Sequence, residues 1–169
     1  LFWAAVSPYH ALSGPVPPFQ LVCSTERPDH PCLQAQGMAR RVRDLGGRAE
    51  VLALDITDLA ATAAALAARQ PFDVLVNSAG LARHAPALDT TPEDYDAARG
   101  LNFRAAFFLT REVARGLTAR GKPGSLINVS SQMGHVGGLD RAVYCANKHA
   151  LEGMTKAMAL EWAPHGIRV

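Results

Sequence analysis

Short apolar runs alternate with longer stretches of helical period along most of this chain. Phe19-Gln20-Leu21-Val22-Cys23, Ala49 to Leu54, Asp73 to Val76 and Ser125 to Val129 are short, apolar almost throughout and closed by small or polar residues. That is the pattern of strands buried on both faces. Between them lie helical patterns. Cys32 to Leu45 ends at Gly46-Gly47, residues that tolerate a left-handed C-cap, and Thr57-Asp58 can cap an alanine-rich helix to about Arg69. Thr91-Pro92-Glu93-Asp94 combines a capping hydroxyl, a first-turn proline and acids near the positive end of the helix dipole. The helix it opens runs to about Arg120 with an interruption at Gly100, and another spans Ala142 to Ala163. Gly166 to Val169 reads as the opening of a further strand. Residues 1–18 carry Pro8, Pro15, Pro17 and Pro18 with neither period and read as irregular.

Strands alternating with helices predict an α/β fold, a doubly wound parallel sheet covered on both faces. With no internal repeat and no linker, residues 19–169 read as one domain. Composition adds exclusions. The 49% hydrophobic and 19% charged content is globular, and 17 basic against 15 acidic residues without a basic run gives no nucleic-acid surface. No segment reaches the roughly 20 apolar residues that span a bilayer. The apolar start, Leu1 to Val6, lacks a basic flank and meets Pro8, so it is not read as a signal peptide. Cys23, Cys32 and Cys145 lack metal-ligand spacing and form an odd set, so neither a metal nor a disulfide framework is expected. A reducing, cytoplasmic compartment is the simplest setting.

In a doubly wound sheet, ligands bind beyond the carboxyl ends of the strands. Asp55, Asn77-Ser78-Ala79-Gly80 and Ser130-Ser131 fall there. Asp55 can accept from a donor such as an exocyclic amine, or serve as an acid at the next helix start; both readings stand. Ala79-Gly80 offers a small surface for a flat ligand or is a plain turn. Tyr144 and Lys148 lie one helical turn apart on one face. A tyrosine phenol ordinarily titrates near about 10, so acid-base work at neutral pH needs a cation beside it, and Lys148 is placed to supply one. Ser131 can hold a substrate carbonyl near that phenol. Alone, a Tyr and Lys at this spacing are an ordinary surface pair.

Together, Asp55 after one strand, Asn77-Ser78-Ala79-Gly80 after the next, Asn102 in a helix, and Ser131, Tyr144 and Lys148 make the chain resemble the short-chain dehydrogenase/reductase family of NAD(P)-dependent oxidoreductases, with its Rossmann fold. Ile127 to Ser131 and Leu151 to Lys156 look most like its 3-oxoacyl-carrier-protein reductase and gluconate 5-dehydrogenase-like branch. The resemblance implies reversible hydride transfer between a nicotinamide cofactor and a carbonyl or secondary alcohol. Tyr144 would exchange the proton, Lys148 would stabilise its phenolate and hold the nicotinamide ribose, Ser131 would orient the carbonyl, and Asn102 would hold a water in a proton relay. Asp55 and Ile56 would meet the adenine, and Asn77, Ala79 and Gly80 the adenosine ribose side. The cofactor would be NADP or NAD, with NADP slightly favoured because Arg27, beside Thr25 past the second strand, can meet a 2′-phosphate. A homodimer or homotetramer would pair through Asp94 to Arg120 and Ala142 to Ala163.

Two departures qualify the resemblance. The family's Thr-Gly-x-x-x-Gly-x-Gly turn, where backbone amides and a helix dipole receive the pyrophosphate, is absent from this sequence. Phe19 to Cys23 then corresponds to the family's second strand. The first strand, a central one, is missing, which leaves a gap in the sheet before Asp73; the segments beyond Val169 are missing as well. Ser78 stands where the family usually has a second Asn that ties strands together, and its hydroxyl is expected to make part of that bond set. Three functions remain in view: an incomplete copy of a working reductase, a degenerate non-catalytic remnant, and an interaction protein that docks through its two long helices.

Overall fold

A computed structural model describes residues 19–23, 31–70 and 72–169. The irregular segment expected over residues 1–18, and Thr25 and Arg27, lie outside the described residues. The chain divides into two compact units, residues 1–55 and 56–169.

In the first unit, strand β1 (Phe19–Cys23) pairs in parallel with β2 (Ala49–Ala53), Phe19 opposite Ala49 and Cys23 opposite Ala53. Helix α1 (Pro31–Asp44) packs on both strands, with Ala39 and Val42 fully buried. The helix stops where the sequence predicts. Gly46 takes φ +79°, and the Gly46 and Gly47 amides donate to the Arg43 and Val42 carbonyls, so two orphan acceptors are satisfied. Cys32 is disulfide-bonded, which runs against the expectation of reduced cysteines. Cys145, by contrast, is a free, buried thiol.

The second unit opens with α2 (Leu59–Ala67), whose Asp58 cap accepts from the Ala61 amide. Strands β3 (Val74–Asn77), β4 (Gly124–Asn128) and β5 (Ile167–Arg168) then form a parallel sheet in that order. Val74 pairs with Ser125 and Asn77 with Asn128, while Gly124 pairs with Ile167. Helix α3 (Pro92–Arg99) starts at Thr91, whose hydroxyl accepts from the Asp94 amide. It runs into a π-helical segment, Gly100–Ala105, and then into α4 (Ala106–Thr118). The interruption at Gly100 is thus one wide turn rather than a break. Helix α5 (Ala142–Trp162) is the longest.

Helix α4 carries two apolar stripes. Val113, Ala114 and Leu117 join Leu66, Leu126 and Ile167 over the sheet, and Ala106 meets Leu151, Met154 and Met158 of α5. Each fully buried Leu or Ile here contributes about 1.5–3 kcal/mol relative to exposure. These stripes tie the sheet and the middle and later turns of α5 to α4. β1 and β2 form a sheet of their own, and among the described residues β3 pairs with β4 alone, so one of its edges carries no described strand. No helix among the described residues is long and apolar enough to cross a membrane.

Candidate active site

The site gathers where β4 ends and α5 begins. Val129 follows β4, and its carbonyl accepts from the Lys148 ammonium at 2.8 Å. Lys148 is only 5% exposed, and its Nζ lies 5.7 Å from the centre of the Tyr144 ring, one turn earlier on the helix. Burial lowers the Lys148 pKa from its ordinary 10.5, and the carboxylate of Glu152, one turn further along, partly opposes that by raising it. A cation, a phenol and a strand end are therefore fixed together, as the four-residue spacing requires.

Ser131 has extended backbone and caps a 3₁₀ turn, Gln132–Gly134, its Oγ accepting from the Met133 amide at 3.2 Å. The hydroxyl proton is left to donate. Its neighbour Ser130 is different: its Oγ is buried with no partner among the described residues. The turn fits closely because position 134 is glycine. A Cβ there would lie 2.9 Å from the Ser130 Oγ, 3.0 Å from Glu152 Cγ and 3.1 Å from the Lys148 carbonyl.

Asn102 is 1% exposed and sits in the π-helical segment, a departure from α-helix that is frequent at functional sites. Its Oδ1 accepts from the Leu81 amide and its Nδ2 donates to the Leu81 carbonyl, both at 2.7 Å. The side-chain amide therefore acts as a two-point strand partner for the loop after β3. One N–H and one lone pair of Asn102 remain for a water. Gly80 lies against the same side chain, a Cβ there falling 3.5 Å from Oδ1.

Of the other residues predicted to meet a cofactor, Ala79 is exposed and Gly80 half-buried beyond β3, while Asn77 is buried. Asn77 Nδ2 donates to Asn128 Oδ1 at 3.3 Å. Thr110 donates to the same oxygen at 3.1 Å, and Asn128 Nδ2 reaches the Thr155 hydroxyl at 3.4 Å. The tie between β3 and β4 is thus made by Asn77, and Ser78 is exposed. Asp55 lies in the first unit, just past β2, and Ile56 in the second, where its side chain is buried. The structure brings Lys148, Tyr144 and the Ser131 turn together, and Asn102, in the π-helical segment, holds the loop after β3.

One neighbour of Tyr144 escaped sequence reasoning. The His84 ring meets the Tyr144 ring edge-on, centroids 5.9 Å apart and planes at 83°. His84 sits in a polar loop without period, so nothing in its spacing marks it. Among the described residues there is no group of three His, Cys, Asp or Glu able to hold a metal.

Comparison with known proteins gives this geometry a context. The short chain dehydrogenase family model matches residues 29–169. An L-xylulose reductase of Bos taurus is 45% identical over 128 residues, which is 76% of this chain and 52% of that protein. The chain thus spans about half the length of the curated relatives it matches. A putative 2-deoxy-D-gluconate 3-dehydrogenase from Agrobacterium tumefaciens, with bound NADP, is 34% identical with a TM-score of 0.74, covering 88% of this chain and 57% of that one. A gluconate 5-dehydrogenase from Burkholderia cenocepacia, in complex with NADP and tartrate, is 28% identical with a TM-score of 0.75, covering 92% and 69%. A site built from Ser131, Tyr144, Lys148 and Asn102, and a family match over most of the length, lead to one conclusion: the chain belongs to the short-chain dehydrogenase family.

Proposed function

We propose that this chain carries the catalytic half of an NADP-dependent reductase that interconverts a polyhydroxy ketone, a sugar or sugar acid, and its secondary alcohol. The observation that carries the proposal is the buried Lys148 ammonium beside the Tyr144 ring, held there by the Val129 carbonyl. The bound dinucleotide would supply the hydride. Tyr144 delivers the proton to the carbonyl oxygen, with Lys148 stabilising the phenolate left behind. The free hydroxyl proton of Ser131 donates to the same oxygen and orients the carbonyl. Asn102 keeps one N–H for a water behind the tyrosine, which returns the proton.

Residues for the nicotinamide ribose (Tyr144, Lys148) and for the adenosine side (Asn77, Ala79, Gly80, with Ile56 and Asp55) fit a dinucleotide in this reading. For its pyrophosphate the sequence has no glycine-rich turn. NADP is preferred to NAD because the Agrobacterium and Burkholderia structures carry NADP. A polyhydroxy substrate is preferred because the relatives are named for L-xylulose, deoxygluconate and gluconate. We further infer that residues 19–169 form one domain of this fold and that the protein works in the cytoplasm, where reduced dinucleotide is available, against which the disulfide at Cys32 weighs because such bonds are rare in reducing compartments. A homodimer or homotetramer through the helical run from Asp94 to Arg120 and through Ala142 to Ala163 completes the proposal.

The test is a titration with NADPH and NADH followed by fluorescence, and then turnover of L-xylulose. Tyr144→Phe should lower turnover by about 10²–10⁴-fold, the usual contribution of a positioned acid, and leave dinucleotide binding largely intact. Absence of binding up to millimolar cofactor would instead support a non-catalytic remnant.

A further inference from the structure

His84 is held against Tyr144 by a loop in which the residues around it are committed elsewhere. Leu81 is fixed at both backbone groups by Asn102 at 2.7 Å. Arg83 pairs with Asp94 at the start of α3, Nη1 to Oδ1 at 2.7 Å. The Ala85 amide donates at 3.0 Å to the carbonyl of Asp140, a non-glycine residue at φ +57° in the segment that leads into α5. A left-handed conformation at an aspartate is uncommon and is retained where surroundings impose it. Three anchors on Leu81, Arg83 and Ala85 thus leave the His84 side chain as the part of the loop turned to the phenol. His84 is exposed, and its ring and that of Tyr144 meet edge to face, a geometry favourable for aromatic pairs.

We propose that His84 is a substrate-contacting, specificity-determining residue, whose imidazole hydrogen-bonds a hydroxyl on the carbon next to the reacting carbonyl. The chemistry follows from position. A carbonyl oxygen taken by Tyr144 and Ser131 brings its neighbouring carbon past the tyrosine ring, beside which the imidazole lies. In either neutral tautomer an imidazole has one donor and one acceptor nitrogen, so it can serve a hydroxyl in both senses. A site that is built to bond a hydroxyl rejects analogues lacking it more strongly than an apolar wall rejects an added group. Clamping the loop at three points holds the ring before substrate arrives, which lowers the ordering cost of using it.

The inference rests on the reductase reading above, so the experiment separates the two. Turnover and calorimetric binding are measured for the chain and for His84→Phe, with hydroxyacetone and with butanone, which lacks the adjacent hydroxyl. Phe keeps the aromatic edge contact and removes the hydrogen bonds. The expected result is that His84→Phe raises KM and the dissociation constant for hydroxyacetone about tenfold, with kcat and every butanone parameter nearly unchanged; one hydrogen bond supports a factor of that order. His84→Gln, which keeps a donor and an acceptor, should recover much of the loss. Equal effects on both ketones, or no effect on either, overturn the assignment, as does failure of hydroxyacetone to bind more tightly than butanone. If neither ketone turns over, the reductase reading fails, and the calorimetric comparison still decides His84. Thermal melting of both variants identifies any loss that comes from unfolding.

Discussion

At the scale of single residues, the most informative group is Lys148, an ammonium that is almost wholly buried yet makes one bond to a backbone carbonyl. Desolvation lowers its pKa below 10.5 in the folded chain, with Glu152 partly opposing. Between that lowered value and 10.5 the unfolded chain binds more protons than the folded one, so stability should rise as pH climbs through the window. Below the window both states are charged, and the cost of burying the ammonium is borne in full. Lys148→Met should remove the alkaline gain, and denaturant midpoints at neutral pH and near pH 10 would show it as a rise in the parent that the variant lacks. A parent midpoint that is flat or falling over the same range would contradict the sign. Tyr144 and Lys148 were legible as a pair because one helical turn is a fixed distance. Asn102 was named only through the family resemblance, since its grip on Leu81 joins residues from two elements. His84 was not legible at all: its contact with Tyr144 depends on how a loop is anchored, and loops carry no period.

Among elements, the strand ends are held by side chains as much as by the ladder. Asn128 accepts from Asn77 of β3 and Thr110 of α4, and donates to Thr155 of α5, so one residue at the end of β4 joins four elements. Asn128→Ala would leave the buried Asn77 amide without that acceptor, and a buried donor left unpaired costs about 1–3 kcal/mol. The urea midpoint should fall accordingly, with a larger loss of activity than of secondary structure, because Val129 and Ser131 follow directly. A variant with unchanged midpoint would show that water replaces the bond. The helices and strands themselves were written plainly. Asp58, Thr91 and Gly46 cap or end helices as their residue types require, and strand limits differ from the expected ones by about one residue, since an apolar run does not mark which residue first pairs. The π-helical turn could be seen only as an interruption at Gly100, because a glycine inside a helical pattern does not tell a widened turn from a break.

At the scale of the whole molecule, a sheet in two pieces has a consequence for solubility. Side chains alternate across a strand, so Leu75 and Leu126 turn to the core beneath α4 while Val76 and Ile127, paired in register, turn the other way. Val74 is 58% and Val76 59% exposed, and Ile127 and Val129 are exposed beside them. The strand that carries two of these residues is also an open edge among the described residues, and an apolar edge strand is a template for pairing with another chain. The open edge agrees with what the sequence led us to expect only in that no described strand pairs with β3 on that side. The sequence could not foretell exposure, because runs such as Val74-Leu75-Val76 read as strands buried on both faces, and burial depends on what covers them. Replacing Val74 and Val76 together by Thr keeps β-branched strand formers and removes apolar surface from the outer face alone. Sedimentation over a concentration series should show less self-association in this double variant, with stability changed by no more than about 1 kcal/mol, as expected of surface substitutions away from buried features. If association is unchanged, the outer face of β3 is not the sticky surface. If stability instead falls by several kcal/mol, the two valines are buried in solution, and this face is covered in the working protein.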